Sequence, residues 1–123
     1  SSAPLALPEA GFLFLTTEVK KQKNPLIQEA KMEIQRSAFK LGQTLITPNA
    51  KNTLHPDDVL QALRRHASND WGDCCHDDWQ ANDLAVHEGT RVFSVYRDRG
   101  MNKFWIITEA DRSSTTILLP DDY

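Results

Sequence analysis

At Arg91 the spacing of the hydrophobic residues changes from three or four to two, and this switch constrains the fold more than any other feature. Val92, Ser94 and Tyr96 alternate with Phe93, Val95 and Arg97, the pattern of a half-buried strand. Residues 98–102, with Gly100 among them, read as a hairpin turn. Further strands are predicted at 103–108 and 114–119, joined by residues 109–113. Consecutive strands with such short connections form an antiparallel meander.

The chain upstream is patterned for helices. Asn24-Pro25 opens a segment in which Leu26, Ile27, Ala30, Ile34, Ala38 and Leu41 recur at helical spacing, which predicts a helix ending before Gly42. Thr44, Leu45 and Ile46 read as a short strand stopped by Pro48, and Thr47-Pro48 as the cap and first turn of a brief helix. His55-Pro56-Asp57-Asp58 starts a longer helix through Val59, Leu60, Leu63 and Ala67, because proline and acidic residues suit a helix's positive end. Asp70-Trp71-Gly72-Asp73 reads as a turn with one large aromatic inside. A third helix is predicted from about His76 to His87, with Gly89 as its stop.

The first 25 residues, broken by Pro4 and Pro8 and carrying Lys20, Lys21 and Lys23, read as a loosely attached arm whose stretch 12–19 can dock as a strand. The expectation is one α+β domain over residues 1–123. It has a mainly helical part at 26–89 packed on an antiparallel sheet of three to four strands at 91–119, with helices covering one sheet face.

Composition narrows the class. With 40% hydrophobic and 25% charged residues the chain can build a core, and its 123 residues are too few to divide into two. A net charge of −3 gives no overall attraction for phosphate backbones, so a nucleic-acid partner is not favoured. The longest apolar runs, 11–15 and 104–108, fall far short of the ~20 residues that cross a bilayer. The N-terminal apolar patch lacks a basic lead, and adjacent Cys74 and Cys75 disfavour a disulfide, so a cytoplasmic location is expected.

The run F-W-I-I-T-E-A-D-R-S-S-T-T-I-L-L-P-D-D-Y at 104–123 resembles the C-terminal signature of a family of small uncharacterised bacterial proteins carried on plasmids and integrative elements. Upstream, Leu41-Gly42-Gln43, Thr47-Pro48, Arg65-His66, Asp70-Trp71-Gly72-Asp73, Asp78, Asn82 and Gly89 fall in that family's order, so the resemblance covers about residues 39–123. It implies a mobile-element setting and no particular chemistry. Two features depart from the pattern: the first 38 residues look like an extension, and Cys74-Cys75 stands where the family usually has an acidic or apolar pair.

Several constellations invite a chemical reading. Glu109, Asp111, Arg112, Ser113 and Thr115 crowd one strand connection, where Arg112 and the hydroxyls could hold a phosphate with Glu109 or Asp111 as a base. The competing reading is a turn in which Asp111 caps backbone amides and Arg112 pairs with a carboxylate. Helices before an antiparallel sheet also resemble the barnase-like ribonuclease layout. There Arg91, Tyr96, Lys103, Arg112 and Thr115 would face RNA, and His87 or Glu109 would move protons without a metal.

Cys74-Cys75-His76 offers donors for a metal, but adjacent cysteines do not converge as zinc ligands do, and no metal site or cofactor is expected. Trp71, Trp79 and Trp105 read as core, with Trp71 in its loop a second candidate for partner contact. Asn82, inside a helix, is expected to hydrogen-bond across to the 70–73 turn.

These readings point first to a non-enzymatic accessory protein of a mobile element that binds a protein partner through the sheet and the Trp71 loop. The alternative is a small metal-independent ribonuclease or phosphate-ligand enzyme centred on Arg112. A third reading is a homodimer paired through an edge strand.

Overall fold

Helices begin where the sequence supplies a start. The computed structural model describes residues 13–14 and 37–123, and within them Thr47 accepts a bond from the Ala50 amide to open α1, Pro48–Thr53. His55 Nδ1 accepts from the Asp57 amide to open α2, Pro56–Ala67, which carries Asp57 and Asp58 in its first turn. The buried stripe of α2 is Val59, Leu60, Ala62, Leu63, His66 and Ala67. α3, His76–Glu88, ends on Gly89 in the left-handed conformation and buries only Asn82 and Ala85. It is attached by polar ties more than by an apolar stripe.

The strands are β1 Leu13–Phe14, β2 Gln43–Ile46, β3 Val92–Arg97, β4 Lys103–Thr108 and β5 Ser114–Leu118, followed by a 3-10 turn at Pro120–Asp122. Their order across the sheet is β1-β2-β5-β4-β3. The predicted meander is present as β3-β4-β5, with Phe93 opposite Ile107 and Ile106 opposite Ile117. The sheet is nevertheless mixed. β2 runs parallel to β5, Thr44 beside Thr115 and Ile46 beside Ile117, and β1 adds antiparallel to β2. A wholly antiparallel sheet fails because α1, α2 and α3 intervene before the hairpins, so β2 approaches β5 through a long crossover and not through a turn.

Two further expectations are corrected. Ser37 to Gly42 are not helical, so the helix predicted to reach Leu41 does not: the Ala38 amide bonds the Ala67 carbonyl, and Phe39 and Leu41 enter the core. The earlier part of that predicted helix, and all of the arm except residues 13–14, lie outside the described residues. The sheet is also buried on both faces. One face carries Val92, Tyr96, Phe104, Ile106 and Ile117 against Leu63, Ala67 and Trp71, and the other carries Phe93, Val95, Ile107 and Leu118. At roughly 1.5 to 3 kcal/mol for each large apolar side chain, both layers contribute to the fold.

The outer edge of β3 is occupied. Asn82 donates to the Phe93 carbonyl and accepts from the Phe93 amide, copying a neighbouring strand for one residue. Two residues on, the Val95 amide donates to Trp71 O and the Val95 carbonyl accepts from Asp73. The second contact requires glycine between them: Gly72 has φ +69°, and a Cβ there would lie 2.0 Å from Val95 O. Asn82 thus braces β3 itself and not the 70–73 turn. Edge pairing at β3 would find the backbone of Phe93 and Val95 already bonded.

Candidate functional site

The β4–β5 connection, the richest candidate in the sequence, is a turn whose polar groups bond one another. Asp111 Oδ1 accepts from the Ser113 amide at 3.0 Å and from Ser113 Oγ at 2.6 Å, and these bonds hold its carboxyl below the usual carboxylate value. Arg112 adopts φ +60° and turns its guanidinium inward. Nη1 donates to Thr90 O at 2.6 Å and Glu109 O at 3.2 Å, while Nη2 donates to Ala85 O at 2.9 Å. Those of Ala85 and Thr90 lie at the carbonyl end of α3, where a cation complements the helix dipole. The same guanidinium stacks over Phe39 at 5.5 Å, and burial lowers its pKa.

The expected carboxylate partner of Arg112 is therefore replaced by three main-chain carbonyls. Glu109 pairs instead with Arg91, accepting from Nε at 3.2 Å and Nη2 at 3.0 Å. Ser113 and His87 are exposed, the latter in the last turn of α3. Tyr96 and Lys103 lie toward the opposite end of the sheet: Val92 opposes Thr108 beside the Glu109 turn, whereas Arg97 opposes Lys103 at the far end. Four strand positions separate Val92 from Tyr96, about 13 Å. Catalytic groups must meet within hydrogen-bond reach of one reacting atom, and this set does not.

Tyr96 has its own task. Its hydroxyl donates to Asp70 O at 2.7 Å, burial raises its pKa, and Arg65 lies over its ring at 5.0 Å. Arg65 in turn forks onto Asp70 at 2.8 and 3.1 Å, which draws the Asp70 carboxyl down. Together they hold the loop that carries Trp71. Trp71 is fully buried, edge-on to His66 and bonded through Nε1 to Asp83 at 2.8 Å. It therefore has no surface to offer a partner, and its assignment to the contact surface is corrected.

A second polar group went unread in the sequence. His66 is wholly buried, with Nδ1 2.6 Å from Ser94 Oγ and Nε2 2.8 Å from Thr108 Oγ1. Thr108 Oγ1 lies 2.7 Å from Thr115 Oγ1, which donates to Leu41 O at 2.7 Å. Only one arrangement gives each contact one proton. Thr115 faces the carbonyl, so Thr108 donates to Thr115, His66 Nε2–H donates to Thr108, and Ser94 donates to Nδ1. Burial, then the Arg112 charge, push the His66 pKa from 6.5 to about 3. A Ser–His contact suggests a nucleophile, but this one is sealed from substrate and closes a polar chain across β3, β4 and β5. The signal was present: His66 falls on the apolar stripe of α2, three residues after Leu63 and seven after Val59.

Concavity lies elsewhere. An open groove of about 250 Å³ runs between α2 and the β3–β4 hairpin, lined by Asp58, Gln61, Arg65, Tyr96, Arg97 and Arg99, among others. Arg65, Arg97 and Arg99 are 47, 44 and 60% exposed, and each meets one carboxylate: Asp70, Asp73 and Asp58. Arg99 holds Asp58 down to about 2 through its side-chain bonds. The hairpin itself is fixed by Asp98. Burial would raise this carboxyl, but amides of Asn102, His55 and Gly100 keep it low.

Cys74 is half-buried, and burial and Asp78 push its thiol up to about 11; Cys75 is exposed. Among the described residues no three His, Cys, Asp or Glu side chains gather as a metal site. No helix among them is long and apolar enough to cross a membrane.

Fold and site together define a small α+β protein with helices before a mixed sheet, a sealed polar chain in its core and an arginine-lined groove at one end. No family model, curated protein or solved structure matches the chain.

Proposed function

We propose that this chain is a non-catalytic binding protein that docks a protein partner in the groove between α2 and the β3–β4 hairpin. The carrying observation is the groove's lining: three exposed arginines, each with a single carboxylate, beside Gln61 and the Tyr96 ring. Exposed ion pairs are worth at most about 1 kcal/mol, so a partner's carboxylates exchange for Asp58 and Asp73 at little cost, while Arg65 stays on Asp70. Arginine is also among the residues that dominate interface energetics. The alternation of charge favours a partner surface of mixed sign over a polyanion.

The setting, a mobile genetic element, rests on the resemblance of residues 39–123 to the plasmid-borne family. A ribonuclease reading would require Arg112 to leave three carbonyls and Glu109 to leave Arg91, and nothing favours it. The test is capture from a host carrying such an element, comparing the full chain with Arg97→Ala/Arg99→Ala and with His87→Ala, which lies on α3. A protein recovered with the native chain and the His87 variant, but at least tenfold depleted with the double variant, supports the groove. Equal recovery with all three removes it, and RNA cleavage abolished by Arg112→Ala would install the enzyme in its place.

A further inference from the structure

The mouth of the β3–β4 hairpin sets two cations against each other. Phe93 and Val95 turn their backbone groups to the outer edge of β3, and by alternation so does Arg97. Arg97 and Lys103 are therefore opposed without bonding each other's backbone, and the Cα atoms of such a pair approach to about 4.5 Å, the closest an antiparallel ladder allows. Both side chains leave the same side of the sheet, and both are exposed. Like charges so placed oppose the fold. Relief is slight: Arg97 Nε stands 3.5 Å from Asp73, and among the described residues no carboxylate pairs with Lys103.

The turn between them carries a second cost. Met101 holds φ +64°, a conformation uncommon outside glycine and asparagine, with its side chain 66% exposed. The base beneath is fixed, because the Asp98 carboxylate accepts from the amides of His55, Gly100 and Asn102. Two cations and one apolar side chain are thus held outward in advance of any contact, which lowers the cost of binding. Neighbouring carboxylates restrict what can arrive. Asp58 pairs with Arg99 and Asp73 with Arg97, while β5 ends opposite Trp105 of β4 and Asp121 and Asp122 follow it. A run of phosphates would meet these acids as well as the cations, whereas one carboxylate with an apolar neighbour meets only the pair and Met101. Building on the reading that this end of the molecule docks a protein, we infer that the Arg97–Lys103 pair receives an aspartate or glutamate side chain of that partner, with Met101 against an apolar residue beside it.

A random peptide library displayed on phage and selected against the full chain supplies the probe. Recovered peptides should share an acidic residue beside an apolar one, and should lose about tenfold in affinity for Lys103→Gln and for Met101→Gly. Peptides lacking the acidic residue, or a selection that recovers none, overturn the proposal. Binding that survives Lys103→Gln but is lost in Arg97→Ala/Arg99→Ala overturns it and leaves the groove standing; binding unchanged in every variant removes both. A short single-stranded oligonucleotide whose binding depends on Lys103 would make phosphate the ligand, and overturns it as well. The repulsion can be read with no ligand at all. Lys103→Glu sets a carboxylate opposite Arg97, so at low salt it should raise the melting temperature by about 2 °C while abolishing peptide binding. A melting temperature lowered by that change overturns the premise.

Discussion

Acidification should weaken this protein, and beyond the paired carboxylates one side chain, His66, carries a separable share. Its folded pKa of about 3 lies below the 6.5 of an unperturbed imidazole. Below pH 6.5 the unfolded chain takes up a proton that the folded protein refuses. The contribution of neutral His66 is therefore complete above pH 6.5, declines as pH falls from 6.5 towards 3, and falls no further below that. Each pH unit is worth about 1.36 kcal/mol, so the loss at pH 4.5 is about 3 kcal/mol, a large share of the roughly 5 to 15 kcal/mol typical of a domain. Hydrogen bonding alone does not forbid the proton, since Ser94 Oγ can turn to Ile106 O at 3.4 Å. The penalty lies in burying a charge near Arg112.

Denaturant unfolding of the native chain and His66→Gln at pH 7 and pH 4.5 measures this directly. Any cost of the substitution common to both pH values cancels, as do the carboxylates that titrate in both proteins. The native chain should lose about 3 kcal/mol more than the variant between the two conditions. Equal losses would show that His66 takes up its proton without unfolding, and the reasoning about the sealed chain would be wrong.

Gly72→Ala forces a side chain to within 2.0 Å of Val95 O at φ +69°, and should lower stability by more than about 3 kcal/mol in thermal unfolding. Gly89→Ala, at φ +76° with no neighbour within 4 Å, should cost only about 1 kcal/mol by the same measurement. Asn82→Asp replaces the donor facing Phe93 O with an acceptor; about 2 kcal/mol should be lost and exchange of the Phe93 amide should accelerate. Arg112→Ala frees three carbonyls, two at the end of α3 and one in the β4–β5 connection, so melting should fall by several degrees while capture of a groove-bound partner is unchanged.

What the sequence disclosed was local. Pro56 at the first helical position with Asp57 and Asp58 behind it marked α2 to the residue, and alternation with a Gly100 turn marked the β3–β4 hairpin. Pairings between distant segments left no such mark. Nothing near residues 43–46 specifies that they lie parallel to β5, about seventy positions away. Leu41 continues a helical spacing, yet it and Phe39 enter the core from non-helical chain because Ala38 is held to the end of α2. Arg112 had the composition of a ligand-binding residue, but its partners are carbonyls, which any residue supplies and no composition reveals. Trp71 is core as read from the sequence, but its second candidacy for partner contact fails because Gly72, pressed on Val95, turns the loop inward.

The parallel seam between β2 and β5 also dictates an order of events. During synthesis Gln43–Ile46 emerges long before Ser114–Leu118, so one side of β2 stays without its strand partner until nearly the whole described chain has been made. Half-made chains leave that backbone edge unpaired, and a stop codon or protease cut ahead of residue 114 should yield an aggregating fragment.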